Sequence, residues 1–316
     1  QSNFPEKFDA ILPYVDKETD PVAYGNYVKL PGVWVLIGGM WIAHFYYWGT
    51  NQYITQRALG GKSLDEAQKG LMFAGFLKIF MPIVVVLPGL IAVALEGNVI
   101  ESLGGDRSKA YPSMLSLLPN GILGLTFAAL VAAIVSSLAS LTNSLSTIFT
   151  MDIYKNYTKV KDTELVNVGR FAGTSGLILS IIVAPIFLGS LDSAFQYVQE
   201  YMGLFSPVIL FVFLSAIFFK KSSSKSVLAG SLVALVVGVI MKLYVAQTDQ
   251  SLIEPFMHQM AISFGIAFLV SFALSDKSDN AKVFKLTYKD FKTSKLFNYG
   301  SITILLILSG IYGYYW

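Results

Sequence analysis

MFAGFLKIFMPIVVVLPGLIAVAL, Met72–Leu95, contains a single charge, the ammonium of Lys78. At about 1.5 Å of rise per residue, such a stretch crosses a hydrocarbon core of about 30 Å as one helix. Its ammonium must turn toward protein, water or a headgroup, because leaving it in lipid costs roughly 2.5–3.5 kcal/mol on insertion scales. Snorkelling is the plain explanation for a lysine near a helix end. Lys78 is about 12 Å in from the start of its apolar run at Gly70, which is far for a lysine stem. A charge held at that depth usually marks the path of a polar solute.

The rest of the chain repeats the pattern. Hydrophobic residues make up 54% of it and charged residues 14%, with the charges clustered between apolar runs of spanning length. The runs are Val33–Tyr53, Gly70–Leu95, Gly121–Thr150, Phe171–Leu188, Phe195–Phe219, Val227–Ala246, Phe256–Ser275 and Leu296–Trp316. Backbone groups in lipid must be satisfied within the segment, and strand-like alternation is missing, so the expectation is an all-α membrane protein of about eight spans. Sixteen Lys and Arg fall in one set of loops, five in the other and two within spans. The basic set belongs in the cytoplasm, which places a multi-pass chain in the inner membrane with both ends outside. The Gln1–Asn26 segment has neither an initiator Met nor a signal peptide, so the chain reads as part of a longer one. Net charge +3, spread over loops, gives no ground for nucleic-acid binding. The chain has no cysteine, which removes thiolate metal sites and cysteine nucleophiles. It also lacks a Walker A loop, a metalloprotease H-E-x-x-H and a G-x-S-x-G, so neither an enzyme nor an ATP-driven pump is expected.

Three further stretches carry chemistry. GGMWIAHFYYWGTNQY, from Gly38, combines a glycine pair, His44 and five aromatics (Trp41, Phe45, Tyr46, Tyr47, Trp48). The glycines permit either close packing or a helix break that exposes backbone groups to a solute. Aromatic faces beside polar groups suit a sugar-like ligand. From Ser136 to Thr150, nine of fifteen residues are Ser, Thr or Asn. Ala133, Ser136, Ser137 and Ser140 share one helix face, which serves either small-residue packing or a neutral-oxygen shell for Na⁺. FQYVQEY, Phe195–Tyr201, opens a span with Gln196, Gln199 and Glu200 ahead of Pro207.

GGMWIAHFYYWGTNQYITQRALGGKSLDEAQKG (Gly38–Gly70), FAALVAAIVSSLASLTNSLSTIFTMDIYK (Phe127–Lys155), LVNVGR (Leu165–Arg170) and FQYVQEYMGLFSP (Phe195–Pro207) closely resemble the sodium/solute symporter family in order and spacing. The resemblance implies a leucine-transporter-like inverted-repeat fold, of which this chain would be the second half. Residues 1–32 would be an outer loop, 33–219 the five helices of the second repeat and 220–316 three peripheral helices. It also implies that Lys78 donates to sugar hydroxyls, that Gln199 binds sugar at the other wall, and that Tyr47, with Trp48 beside it, stacks under the ring. Ala133, through its carbonyl, Ser136 and Ser137 match the sodium site. His44 departs from the galactose-binding pattern, which has asparagine there; an imidazole is larger and, when neutral, offers one donor and one acceptor.

The expected function is therefore sodium-coupled symport of a galactose- or glucose-like sugar by alternating access. Sodium is the coupling ion and no other cofactor is expected. The expected partners are that ion, the sugar, the lipid bilayer and the missing N-terminal half of the same transporter. The alternatives are symport of another polar solute (sialic acid, myo-inositol, proline or pantothenate) and a non-transporting membrane subunit.

Overall fold

The computed structural model describes residues 18–29, 35, 38–94, 109–159, 161–188, 194–219, 221–248, 253–275 and 287–315. Every regular element among them is helical. Seven helical stretches are long and apolar enough to cross a membrane: Leu64–Ala92, Asn120–Tyr157, Asp162–Phe187, Phe195–Phe218, Ser224–Val245, Phe256–Ala273 and Lys295–Tyr314. They coincide with seven of the eight expected spans. Part of the remaining one, Val33–Tyr53, lies outside the described residues, as do most of residues 1–32 and residues 276–286.

The chain divides into two compact units. The first comprises Gln1–Thr55, Val198–Ser294 and Leu305–Trp316, the second Gln56–Tyr197 and Lys295–Ile304.

In the first unit, α1 is Pro21–Lys29 and α2 is Gly39–Phe45. A wide π turn follows at Tyr46–Thr50, and α3 is Gln52–Leu59, whose residues from Gln56 onward belong to the second unit. The long helix Ala194–Phe218, which we label α9, packs with α10 (Ser224–Val245) and α11 (Phe256–Ala273). Small buried residues recur every fourth position on α10, at Ser226, Gly230, Ala234 and Gly238. They face a matching row on α11, at Ser263, Ala267 and Ser271. Lipid supplies no hydrophobic drive for helix association, so van der Waals contact at close approach must supply it, and small residues permit that approach. A Cβ on Gly230 would lie 3.2 Å from the Ser271 Cβ. Phe211 fills the remaining space against Phe268, edge to face at 5.0 Å. The turn at Lys221–Ser223 is closed by a reciprocal capping box, in which Ser223 and Ser226 each accept the other's backbone N–H.

The glycine pair of the first expected span has a packing role. Gly39 is buried where α2 crosses α11, and a Cβ there would overlap the Met257 carbonyl oxygen and lie 2.8 Å from its Cα. The helix breaks later, at Asn51. The Asn51 N–H reaches back five residues to the Tyr46 carbonyl at 3.0 Å, and the Asn51 backbone is then extended. Its side-chain oxygen accepts the Tyr53 N–H at 3.3 Å, so Asn51 ends one helix and caps the next.

In the second unit, α4 (Leu64–Lys78) begins six residues before the expected span. Ser63 caps it by accepting the Glu66 N–H at 3.2 Å, and Lys69 pairs with Asp65 at 2.7 Å, one turn back. The helix resumes as α5 (Met81–Ala94). Next come α6 (Ala110–Leu115), α7 (Asn120–Thr147, carried on by a π turn at Ile148–Tyr154) and α8 (Asp162–Leu188). The last helix, α12, is Lys295–Tyr315. Helix α8 lies against α7 through Gly169, Gly173 and Gly176, which meet Ser146, Thr142 and Leu145. The Ser146 hydroxyl also donates to the Gly169 carbonyl at 2.8 Å.

Candidate substrate and sodium sites

His44, Tyr47, Trp48 and Gln199 belong to the first unit; Lys78, Ala133, Ser136 and Ser137 belong to the second.

In the first unit the five aromatics around His44 separate by task. Trp41 packs edge-on to Phe264 at 5.2 Å, and Tyr46 packs against the buried cluster of Ile42, Leu210 and Met260. Tyr47 and Trp48 lie in the π turn, ring against ring at 5.2 Å and nearly perpendicular. The Tyr47 hydroxyl is 2.8 Å from that of Tyr53, across the Asn51 break. His44 is exposed in the last turn of α2. The segment interrupted at Asn51 thus carries His44, Tyr47 and Trp48 just ahead of the break.

Gln199 is half-buried in the second turn of α9. The next residue, Glu200, pairs with Lys242 of α10 at 3.1 Å, and the Lys242 ammonium also lies 4.5 Å from the centre of the Tyr201 ring. Lys242 is a second charge within an apolar run, and its partner lies 42 positions away along the chain. Replacing Lys242 by Met alone leaves the Glu200 carboxylate without its cation, which costs about 1–3 kcal/mol. The double change Glu200→Gln with Lys242→Met is expected to recover most of that loss in thermal melting. A Lys242→Met variant that melts with the wild type would show that the pair contributes nothing.

In the second unit, Lys78 is the last residue of α4, at an interruption its own sequence creates. Pro82 follows four residues later and has no N–H to give the Lys78 carbonyl, while its ring crowds that oxygen. The chain turns there on shorter bonds: Ile79 N–H to Phe76, Phe80 to Leu77 and Ile83 to Phe80, each at 3.1 Å. A cation at this point meets the negative end of the α4 dipole. The K-x-x-x-P spacing was a legible signal of this break.

The hydroxyl-rich α7 uses its polar residues on three faces. Thr142, Ser146 and Thr150 face the glycines of α8. Ser140 and Asn143 face α3: Gln56 donates to the Ser140 carbonyl at 3.1 Å, Asn143 donates to Gln56 at 2.9 Å, and Arg57 donates to the Ser140 hydroxyl. Ala133, Ser136 and Ser137 are exposed. Helix packing thus accounts for the α8-facing set and leaves the three sodium candidates uncovered in this chain. Among the described residues no group of three or more His, Cys, Asp or Glu side chains could hold a metal ion.

A model of the sodium:solute symporter family matches residues 3–270. The chain is 44% identical to a sodium/glucose cotransporter of Vibrio parahaemolyticus over 92% of its own length and 56% of that protein's. It is 35% identical to sodium/glucose cotransporter 4 of Danio rerio, over 70% of this chain and 35% of the relative. For sodium/myo-inositol cotransporter 2 of Mus musculus the identity is 33%, over 66% of this chain and 33% of the relative. The chain thus spans about half the length of the first of these relatives and about a third of the others. With the family match covering most of its length and seven helices long and apolar enough to cross a membrane, this multi-pass membrane chain belongs to the sodium:solute symporter family.

Proposed function

We propose that this chain is the solute- and sodium-binding second half of a symporter that couples Na⁺ entry to uptake of a glucose- or galactose-like sugar. One observation carries this reading: two helical segments are interrupted, at Asn51 and at Lys78–Pro82, beside the residues proposed to bind sugar. The similarity to sodium/glucose cotransporters supports the same solute class. Lys78 donates to sugar hydroxyls, Gln199 binds a second edge, and His44 selects the solute. Tyr47, with Trp48 beside it, stacks under the ring. Na⁺ sits on the Ala133 carbonyl and the Ser136 and Ser137 hydroxyls, and oxygens from the half of the transporter outside this chain complete the shell. Residues 33–219 form the second inverted repeat and 220–316 three peripheral helices, in the inner membrane with both ends outside.

Sodium binds first and favours the outward-open state; sugar follows, and rocking inward weakens both sites. The membrane potential contributes about 2.3 kcal/mol per charge per 100 mV. A polyol is the second reading, favoured by the similarity to sodium/myo-inositol cotransporters.

The test is uptake by the full-length protein in proteoliposomes, with and without a sodium gradient, against sugars, myo-inositol and sialic acid. Sodium-driven uptake of glucose or galactose is expected, and uptake indifferent to sodium would overturn the reading. Ser137→Ala should raise the half-saturating sodium concentration about tenfold, as one lost bond to a charged group is worth roughly 1.5 kcal/mol or more. An unaltered sodium titration would discard the ion assignment.

A further inference from the structure

The contact between α3 and α7 has no place in sugar or sodium binding as proposed above, yet it joins two side chains of α3 to Ser140 and Asn143 of α7. Gln56 donates to the Ser140 carbonyl at 3.1 Å and accepts from Asn143 at 2.9 Å. Arg57, the next residue, donates to the Ser140 hydroxyl. That hydroxyl in turn donates to the Ser136 carbonyl at 3.0 Å. A guanidinium, a hydroxyl and a backbone carbonyl therefore stand in series, and the carbonyl belongs to one of the proposed sodium residues.

The order matters. A serine hydroxyl has one proton and rotates freely when unconstrained. With Arg57 supplying a charged donor to the oxygen, the Ser140 proton must point away from it, and it points at the Ser136 carbonyl. A charge-assisted bond polarises the next bond in the chain and strengthens it. Back-bonding from a serine to the carbonyl four residues earlier also bends a helix locally. The bond from Ser140 to the Ser136 carbonyl is thus oriented by a side chain on another helix. Gln56, Arg57, Ala139, Ser140 and Asn143 line a cleft of about 390 Å³ at this contact, so the bonds can open without dismantling a core.

We infer that Arg57 and Gln56 are positioning residues: acting through Ser140, they hold the Ser136–Ser137 turn in its sodium-binding form, and loss of the contact weakens sodium binding. The inference rests on the sodium assignment above. Neither residue touches the ion. The consequence is that sodium affinity depends on α3 being docked on α7, and sodium binding favours the docked form by the same factor.

The experiment is sodium titration of sugar uptake by full-length protein carrying Arg57→Met, Ser140→Ala, both together, or Ser140→Thr. Each of the first two should raise the half-saturating sodium concentration about three- to tenfold, the worth of one intramolecular hydrogen bond. The sugar KM at saturating sodium should move less than twofold. The double variant should be no worse than the more affected single one, since the two residues act in series. Ser140→Thr keeps the hydroxyl and should titrate like the wild type. Additive effects, equal damage to sugar and sodium, or a lower half-saturating sodium in Arg57→Met would each overturn the inference. Should Arg57→Met fail to reach the membrane, the contrast between Ser140→Ala and Ser140→Thr decides alone. If Ser137→Ala shifts sodium while Ser140→Ala does not, the positioning role fails and the sodium site stands. If Ser137→Ala shifts nothing, both fall.

Discussion

Lys78→Ala in the full-length transporter is expected to raise the half-saturating sugar concentration about ten- to hundredfold, with sodium dependence retained. Lys78 ends α4 at the break imposed by Pro82. There an ammonium offers three donors at a point where the backbone is already irregular. A hydrogen bond from a charged donor to a sugar hydroxyl is worth about 1.5–3 kcal/mol, and each 1.4 kcal/mol is a factor of ten in affinity. Removing the side chain also removes a cation from the C-terminal end of α4, worth only about 0.3–1 kcal/mol to that helix. The substrate effect should therefore dominate any loss of stability. Uptake kinetics and thermal melting of the same preparation separate the two. Wild-type KM in Lys78→Ala would return this lysine to a snorkelling role.

Gly39→Val should be the most damaging single change to the fold. The new Cβ would overlap the Met257 carbonyl oxygen, with the Met257 Cα 2.8 Å away, and both belong to the backbone of α11. A flexible side chain could swing aside, but a helix backbone cannot without losing its own bonds. The penalty belongs at about 3 kcal/mol, the upper end of the usual range for overpacking. The variant should be recovered in poor yield and melt several degrees below the wild type. Gly124→Ala makes the control: nothing lies within 4 Å of a Cβ there, and alanine favours the helix. Equal melting of Gly39→Val and wild type would mean that α2 and α11 are not packed as described.

The candidate residues differ in how far they could be read without a structure. The glycine pair near His44 admitted both a packing role and a break. Packing applies at Gly39, while the break falls at Asn51, where a short side chain can cap the next helix. The serine stretch likewise admitted packing and ion binding. The α8 glycines take up Thr142, Ser146 and Leu145, and Ser136 and Ser137 remain exposed. The break at Pro82 follows from the spacing of Lys78 and Pro82 alone. The partners of Lys242 and of Ser140 were not legible, being 42 and more than 80 positions away along the chain.

By itself the amino-acid sequence determined the helical class, seven of the spans and the family. Each of these depends on contiguous residues: apolar runs matched to bilayer thickness, and long identical motifs in order. Tertiary structure alone decided which glycine touches a backbone, which hydroxyls are consumed in packing and which carboxylate meets the second intramembrane lysine. Those outcomes depend on which helix faces which, a property that no window of neighbouring residues contains.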